Sequence, residues 1–363
     1  MRPCFVVYKG YYMKKKFRGV LIIILLLFCI ILAASIYGLI RYNSGIEAVD
    51  VQDTNKITVE IPSGSSAYSI IKILDEKGLI NDPLVARLFV KFGEYDTLQA
   101  NTYLFSKSMS IKEIFDAINA GSFEYIAKQQ FTVIPGSTIP EAAKHLQDDL
   151  GIEAGEFLSL WSDKSYLDSL IDDYWFITTD IYDSEILYPL EGYLYPETYY
   201  ITGEITPKSV TKLLLEFTDK KLSSLTEEMN DLGLSAHEFI TLSSVVQSEA
   251  LHDKDMPTIA GVFVNRLNKN MLLQSDSTVL YALQEKHINV TYSDLEVDSK
   301  YNTYKYAGLP VGPVCAPSGA AFEGTAAYEN NDYLYFFACK DGTILYSKTL
   351  AEHNLAVKNN LWY

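Results

Sequence analysis

An α+β body behind a single N-terminal transmembrane helix is the fold class this sequence predicts, and three observations predict it. Residues 19–40 form an uncharged apolar run. A strand-turn-helix pattern occurs twice, at 56–80 and at 129–152. Beyond residue 153, helix-period and strand-period segments alternate without the Gly-rich phosphate loop of a doubly wound sheet. With 363 residues, 48% of them hydrophobic, the chain has ample material for more than one core, which excludes wholesale disorder.

The apolar run comes first in the chain. Its sequence, GVLIIILLLFCIILAASIYGLI, has Ser35 as its one polar side chain. As a helix it spans about 33 Å, enough for a hydrocarbon layer of about 30 Å. Lys14, Lys15, Lys16 and Arg18 precede it, so the positive-inside rule places residues 1–18 in the cytoplasm and the rest outside. The lipid bilayer is therefore the partner expected for residues 19–41. A cleaved signal peptide ending near Ala33-Ala34-Ser35 is the alternative, against which the apolar run continues through Ile40.

Charge divides the chain at the same place. Residues 1–41 carry seven Lys/Arg and no acid, leaving 23 basic and 46 acidic side chains in 42–363. So acidic a body repels phosphate backbones, and nucleic acid is not an expected partner. Cys4, Cys29, Cys315 and Cys339 are too widely spaced for a disulfide scaffold or a metal knuckle, so neither metal nor cofactor is expected.

Residues 42–55 read as a polar linker. Each repeat that follows opens on an alternating run, then Ile-Pro and Gly-Ser, then apolar residues at helical spacing: Ile70, Ile71 and Leu74 in one, Ala142, Ala143 and Leu146 in the other. Between them, 109–121 predicts a helix with Ile111, Ile114, Phe115 and Ile118 on one stripe and Gly121 as its stop. This suggests a small α+β domain over 56–130 and a larger one over 131–363. In the larger one, helices are predicted at 207–232, 236–251, 257–268 and 277–283, and strands at 333–338 and 343–346.

The segment SAHEFITLSSVVQSEAL, residues 235–251, holds the leading chemical candidate. Ser235 and Glu238 make a capping box, which gives Glu238 a structural task. Glu249 lies three, four and seven residues after Val246, Val245 and Leu242, so it continues an apolar stripe. Burial there favours the neutral carboxyl, as a general acid near neutral pH requires. Alternatively Glu249, in the last turn, rolls out to solvent. Polar-aromatic clusters at 191–200 (Glu191, Tyr195, Glu197), 265–266 (Asn265), 274–278 (Gln274, Asp276) and 301–304 (Asn302, Tyr304) suit carbohydrate, whose apolar faces stack on rings while hydroxyls find polar partners. The plainer alternative is an amphipathic surface, with Asp276 capping a helix from Ser277.

Taken in order, LEGYLYPETY, VVQSEA, MPTIAGVFVNRL, LLQSDSTVLYAL, YNTYKYAGLPVGPVCAPSG and AEHN resemble the endolytic murein (peptidoglycan) lytic transglycosylases, over nearly all of 19–363. The resemblance implies a membrane anchor, a LysM-like small domain and a C-terminal catalytic domain. It also implies peptidoglycan glycan strands as substrate and peptidoglycan synthases as partners. The family's catalytic glutamate falls on Glu249, and Glu191, Tyr195, Glu197, Asn265, Gln274, Asp276, Asn302 and Tyr304 become candidates for orienting glycan. The sequence departs from the family pattern at Gln247, where the motif has a first glutamate, and at Cys315-Ala316-Pro317-Ser318, where it ends in Asn-Pro-Gly. A third departure is Asn101, in place of a glycine, where Asn tolerates positive φ. A muramidase-type hydrolase, with Glu191, Glu197 or Asp276 as second carboxylate, is the enzymatic alternative. A silent peptidoglycan-binding scaffold is the non-enzymatic one.

Overall fold

The computed structural model describes residues 5–93, 95, 97–122, 125–127, 129–202, 204–285 and 290–360, with side chains from residue 25 onward. It is an α+β protein with two compact units, Met1–Lys128 and Gln129–Tyr363.

The first unit begins with α1 (Phe5–Ile46), whose portion Leu25–Ile46 is long and apolar enough to cross a membrane. Its side chains from Leu25 to Ile40 are exposed, as lipid-facing residues are. The helix runs on through Ile46, five residues beyond the apolar run and its flanking arginine. There it gains protein partners: Gly45 packs on Val85 so closely that a Cβ would lie 2.8 Å from it, and the Asn81 amide donates to the Glu47 carbonyl at 2.9 Å.

Next come β1 (Ile57–Ile61), α2 (Ala67–Glu76), α3 (Pro83–Phe92), β2 (Asn101–Phe105) and α4 (Ile111–Ala120). β1 and β2 pair antiparallel, with Val59 opposite Tyr103. Alternation puts Val59, Ile61, Tyr103 and Phe105 on the inner face, against Ile70, Ile71 and Leu74 of α2 and Ile114, Phe115 and Ile118 of α4. Ser110 and Glu113 box the start of α4, and Gly121 at φ 60 ends it, as its sequence predicts. Asn101 is a strand residue opposite Ile61, so its tolerance of positive φ is not called upon.

The second unit consists of β3 (Gln129–Thr132), α5 (Ile139–Leu150), α6 (Ala154–Leu160), α7 (Lys164–Asp173), β4 (Thr198–Ile201), α8 (Pro207–Ser223), α9 (Thr226–Leu232), α10 (Ala236–Glu249), α11 (Met256–Asn268), α12 (Asp276–Leu283), α13 (Gly319–Ala326), β5 (Tyr335–Ala338), β6 (Ile344–Ser347) and α14 (Leu350–Asn360). β3 pairs with β4 and β5 with β6, both antiparallel. The two strand-turn-helix repeats are both real, β1 to α2 and β3 to α5, with Gly64 and Gly136 both at φ 78 in the turns.

Two expectations are corrected. The helix expected over 207–232 is two helices: Leu225, at φ −122 and ψ 16, leaves the helical path, and its side chain enters the core. Short α6 and α7 were not anticipated. α12 begins at Asp276 with Ser275 as N-cap residue, so Asp276 is not the cap.

α10 is the pillar of this unit. Phe239 and Ile240 belong to one core, with Phe131, Trp161, Tyr199 and Leu214. Leu242, Val245 and Val246 belong to a second, with Ile259, Phe263, Tyr281 and Tyr301. Every side chain from Phe239 to Val246 is buried, hydroxyls included. Thr241 donates back to the His237 carbonyl at 2.7 Å, and Ser244 to that of Thr241 at 2.7 Å, satisfying polar groups that would otherwise be costly there.

Candidate active site

Glu249 is the last residue of α10. Leu242, Val245 and Val246, seven, four and three residues before it on α10, are all 0% exposed, and Glu249 itself is half-buried. Oε1 accepts hydrogen bonds from the Ser275 hydroxyl at 2.5 Å and the Ser277 hydroxyl at 3.2 Å. Those two hydroxyls lie 2.7 Å apart, and Ser248 donates to Ser277 at 2.8 Å. The C-terminus of α10 thus meets the N-terminus of α12 through serines. α12 is itself fixed from behind: the Gln274 N–H donates to the Thr303 carbonyl at 3.1 Å and the Ser275 N–H to the Thr303 hydroxyl at 3.0 Å. Gln274 sits at φ 48, a left-handed kink that aims the chain into the helix.

Two opposed influences act on this carboxyl. Burial, helped by the negative charge of Asp276, raises its pKa above the ordinary glutamate value, while the Ser275 and Ser277 hydrogen bonds pull it down. Its place at the negative end of α10 adds to the first influence, and the facing N-terminus of α12 to the second. Burial thus favours the protonated carboxyl, while the serine hydrogen bonds stabilise the anion once the proton has left.

Around it lie Asp276, Tyr304 and Arg266. Tyr304 donates to Asp276 Oδ1 at 2.5 Å, and burial together with that carboxylate pushes its phenol well up. Arg266 is 7% exposed, donating to the Leu334 carbonyl at 2.6 Å and the Leu273 carbonyl at 2.6 Å, with its guanidinium 5.1 Å from the Tyr335 ring centre. Burial lowers its pKa, and electrostatic interactions with Tyr335, Tyr304 and Glu249 oppose that. Arg266 thus sits within electrostatic reach of both Glu249 and Tyr304.

Residues 59–359 match the YceG-like family. The chain belongs to that family. It is 33% identical over 329 residues to an endolytic murein transglycosylase of Bacillus subtilis, an overlap that covers 90% of each protein. It is 31% identical over 332 residues to an endolytic murein transglycosylase of Streptococcus pneumoniae, covering 86% of this chain and 60% of that protein. A crystal structure of a yceG-like protein from Listeria monocytogenes is 37% identical and superposes with a TM-score of 0.60, over 84% of this chain and 99% of the other. The family to which the sequence motifs point and the name these relatives carry agree.

The other polar candidates of this YceG-like chain divide by what they touch. Asp276 and Tyr304 stand beside Glu249, and exposed Gln274 precedes them. Glu191, Asn265 and Asn302 are engaged inside the fold. Glu191 is 2% exposed, its Oε2 accepting from the Ile139 N–H at 3.1 Å and the Tyr281 hydroxyl at 3.0 Å, and burial pushes its pKa up to about 8. Asn265 donates to the Asn331 carbonyl at 2.8 Å and the Tyr333 carbonyl at 3.0 Å. Asn302 donates to the Leu295 and Val297 carbonyls at 2.9 and 2.8 Å and accepts from the Tyr304 N–H at 3.0 Å, which shapes the loop that delivers Tyr304. Tyr195 stacks on Phe322 at 6.3 Å between ring centres, and exposed Glu197 accepts the Thr198 N–H at 2.9 Å.

Gln247, one of the departures, accepts the Ser318 N–H at 2.9 Å and so ties a second departure, residues 315–318, to α10. Sequence reasoning passed over Ser275, Ser277 and Arg266. The pair of serines flanking an aspartate at a helix start was the available signal. A cavity of about 810 Å³ lies at the opposite end of α10, lined by Ser235, His237, Glu238, Asp180 and Tyr182, about 20 Å along the helix from Glu249.

Proposed function

We propose that this chain is a membrane-anchored endolytic murein lytic transglycosylase, with Glu249 as its single acid and base. The observation that carries the reading is the Glu249 carboxyl: raised in pKa by burial at the end of α10, and held on one oxygen by two serines. The substrate class rests on relatives named as murein transglycosylases along most of the chain.

In the first half-reaction, protonated Glu249 gives its proton to the oxygen between N-acetylmuramic acid and N-acetylglucosamine. The bond from the muramyl C1 to that oxygen breaks, and the glucosamine leaves with its hydroxyl restored. The developing positive charge at C1 is relieved by the sugar's own N-acetyl oxygen. In the second half, the Glu249 carboxylate takes the proton of the muramyl C6 hydroxyl as that oxygen bonds to C1, closing a 1,6-anhydro ring. Glu249 ends protonated, and no water is consumed. One carboxyl serves both steps, so the paired carboxylates of ordinary glycosidases are not required. Burial and, after it, Asp276 favour the protonated form of Glu249 before reaction, the serines steady the anion between steps, and Tyr304 and Gln274 border the sugar. Arg266 supplies a fixed positive potential. Residues 19–41 hold the enzyme in the membrane with residues 1–18 in the cytoplasm and the catalytic body outside, where nascent glycan strands and their synthases are at hand.

Mass spectrometry of digested glycan strands tests this. Anhydro-muramyl ends are expected. Reducing ends, heavier by one water, would make the protein a hydrolase, and binding without product would make it a scaffold.

A further inference from the structure

One surface of the first unit has no role in this chemistry. On the inner face of α3, Ala86 and Phe89 pack into the core, and Val85 is buried against Gly45. The outer face is Leu84, Arg87, Leu88, Lys91 and Phe92, all exposed and spaced i, i+3, i+4, i+7 and i+8 along one side of the helix. Leu84 is 55%, Leu88 47% and Phe92 80% exposed. Arg87 lies 4.3 Å from the ring centre of Tyr68, itself 56% exposed, and Lys91 lies 5.9 Å from that of Phe92. Three large apolar side chains aligned on a ten-residue helix are unfavourable in water.

The position of α3 names what covers them. Its N-cap Asp82 pairs with Arg41 at 2.7 Å, and Val85 packs against Gly45. Arg41 directly follows the apolar run that ends at Ile40. Gly45 is about 7 Å further along the helix axis, and the headgroup layer of one leaflet is about 5–8 Å thick. With α1 across a bilayer, the first turn of α3 is thus pinned at headgroup level.

We propose that the Leu84-Arg87-Leu88-Lys91-Phe92 face of α3, with Tyr68, is a membrane-docking surface that lies in the outer headgroup layer beside the anchor. Leu and Phe enter the acyl boundary, Tyr68 occupies the polar-apolar border, and Arg87 and Lys91 reach anionic headgroups, the composition that suits an interfacial helix. α3 itself carries no acid, and Asp82 is neutralised by Arg41. The surface restricts how the first unit tilts on its anchor, in place of a free tether at residue 46.

The inference rests on α1 spanning a bilayer, and the experiment separates the two. Full-length protein carrying Phe92→Trp is reconstituted in vesicles of phosphatidylethanolamine and phosphatidylglycerol whose acyl chains are brominated near the carbonyl. The emission of the parent, which has three tryptophans, is subtracted. The added tryptophan should emit to the blue and lose about half of its intensity to the brominated lipid, as an interfacial indole does. Adding Leu84→Glu and Leu88→Glu should restore water-like, unquenched emission without preventing flotation with the vesicles. Water-like emission from Phe92→Trp alone would overturn the proposal. Blue but unquenched emission would overturn it too, since a protein surface would then cover the face. Failure of the full chain to float with vesicles would refute the anchor itself, and the docking surface with it.

Discussion

The two residues at the start of α12 should move the alkaline limb of the reaction in opposite directions. The Ser275 hydroxyl donates 2.5 Å to Glu249 Oε1 and stabilises the anion, and Asp276, next in sequence, repels the same anion. A hydrogen bond to a charged group is worth about 1.5–3 kcal/mol. In Ser275→Ala the Ser277 hydroxyl, already at 3.2 Å, takes up part of the loss. A net of about 1 kcal/mol remains, equivalent to about 0.7 pH unit at 1.36 kcal/mol per unit. The first step needs protonated Glu249, so kcat/KM falls as pH rises through its pKa. Ser275→Ala should shift that fall upward by about 0.7 unit. Asp276→Asn should shift it downward, while Asn Oδ1 still accepts from Tyr304. The assay is kcat/KM for release of anhydro-ended fragments from uncrosslinked glycan strands, across the neutral and alkaline range. Damage to the fold would lower the plateau without displacing the limb. Shifts of the same sign, or none in either variant, would refute the electrostatic reasoning.

Other consequences concern stability. Glu191 has a folded-state pKa of about 8 against 4.5 in the unfolded chain, so its neutral, buried form contributes fully below 4.5 and stability drains away as pH climbs to 8. Glu191→Gln should melt close to wild type at the acid end of that window and progressively higher toward pH 8. A gap that narrows with pH would contradict the assignment. Gly192, at φ 79 with a would-be Cβ 2.5 Å from Pro313, should not tolerate a methyl group: Gly192→Ala is expected to lose about 1–3 kcal/mol by denaturant titration, and an unchanged midpoint would show that the turn is not constrained. Asn302→Ala removes three hydrogen bonds of a fully buried amide, for an expected cost of about 3 kcal/mol. Because the same loop delivers Tyr304, turnover should fall even below the melting transition, and full activity in that variant would deny the loop its positioning role.

The sequence carried the periodic features well. Leu242, Val245, Val246 and Glu249 follow one helical stripe, and the structure buries the three apolar members completely. Ser235 with Glu238, and Gly121 after α4, mark helix ends through local chemistry that needs no tertiary knowledge. What escaped depends on partners far along the chain. The break at Leu225 is marked only weakly, by Ser224 and Glu227 at a helix-start spacing, and the Leu225 side chain joins a core assembled from distant segments. Glu191 and Asn302 look like surface polar residues beside tyrosines, yet they meet Ile139, Tyr281, Leu295 and Val297 inside the fold. Arg266 is one of the many residues of an ordinary amphipathic helix until β5 closes over it. A side chain's type is local information, whereas the identity of its contacts is not.

The most direct trial of the account is Glu249→Gln, compared with wild type on purified glycan strands by mass spectrometry alongside thermal melting. Glutamine keeps the shape and the acceptor oxygen for Ser275 and Ser277 but has no proton to exchange. The account predicts wild-type melting and no anhydro-muramyl product. Anhydro ends released by the variant at an appreciable fraction of the wild-type rate would contradict it.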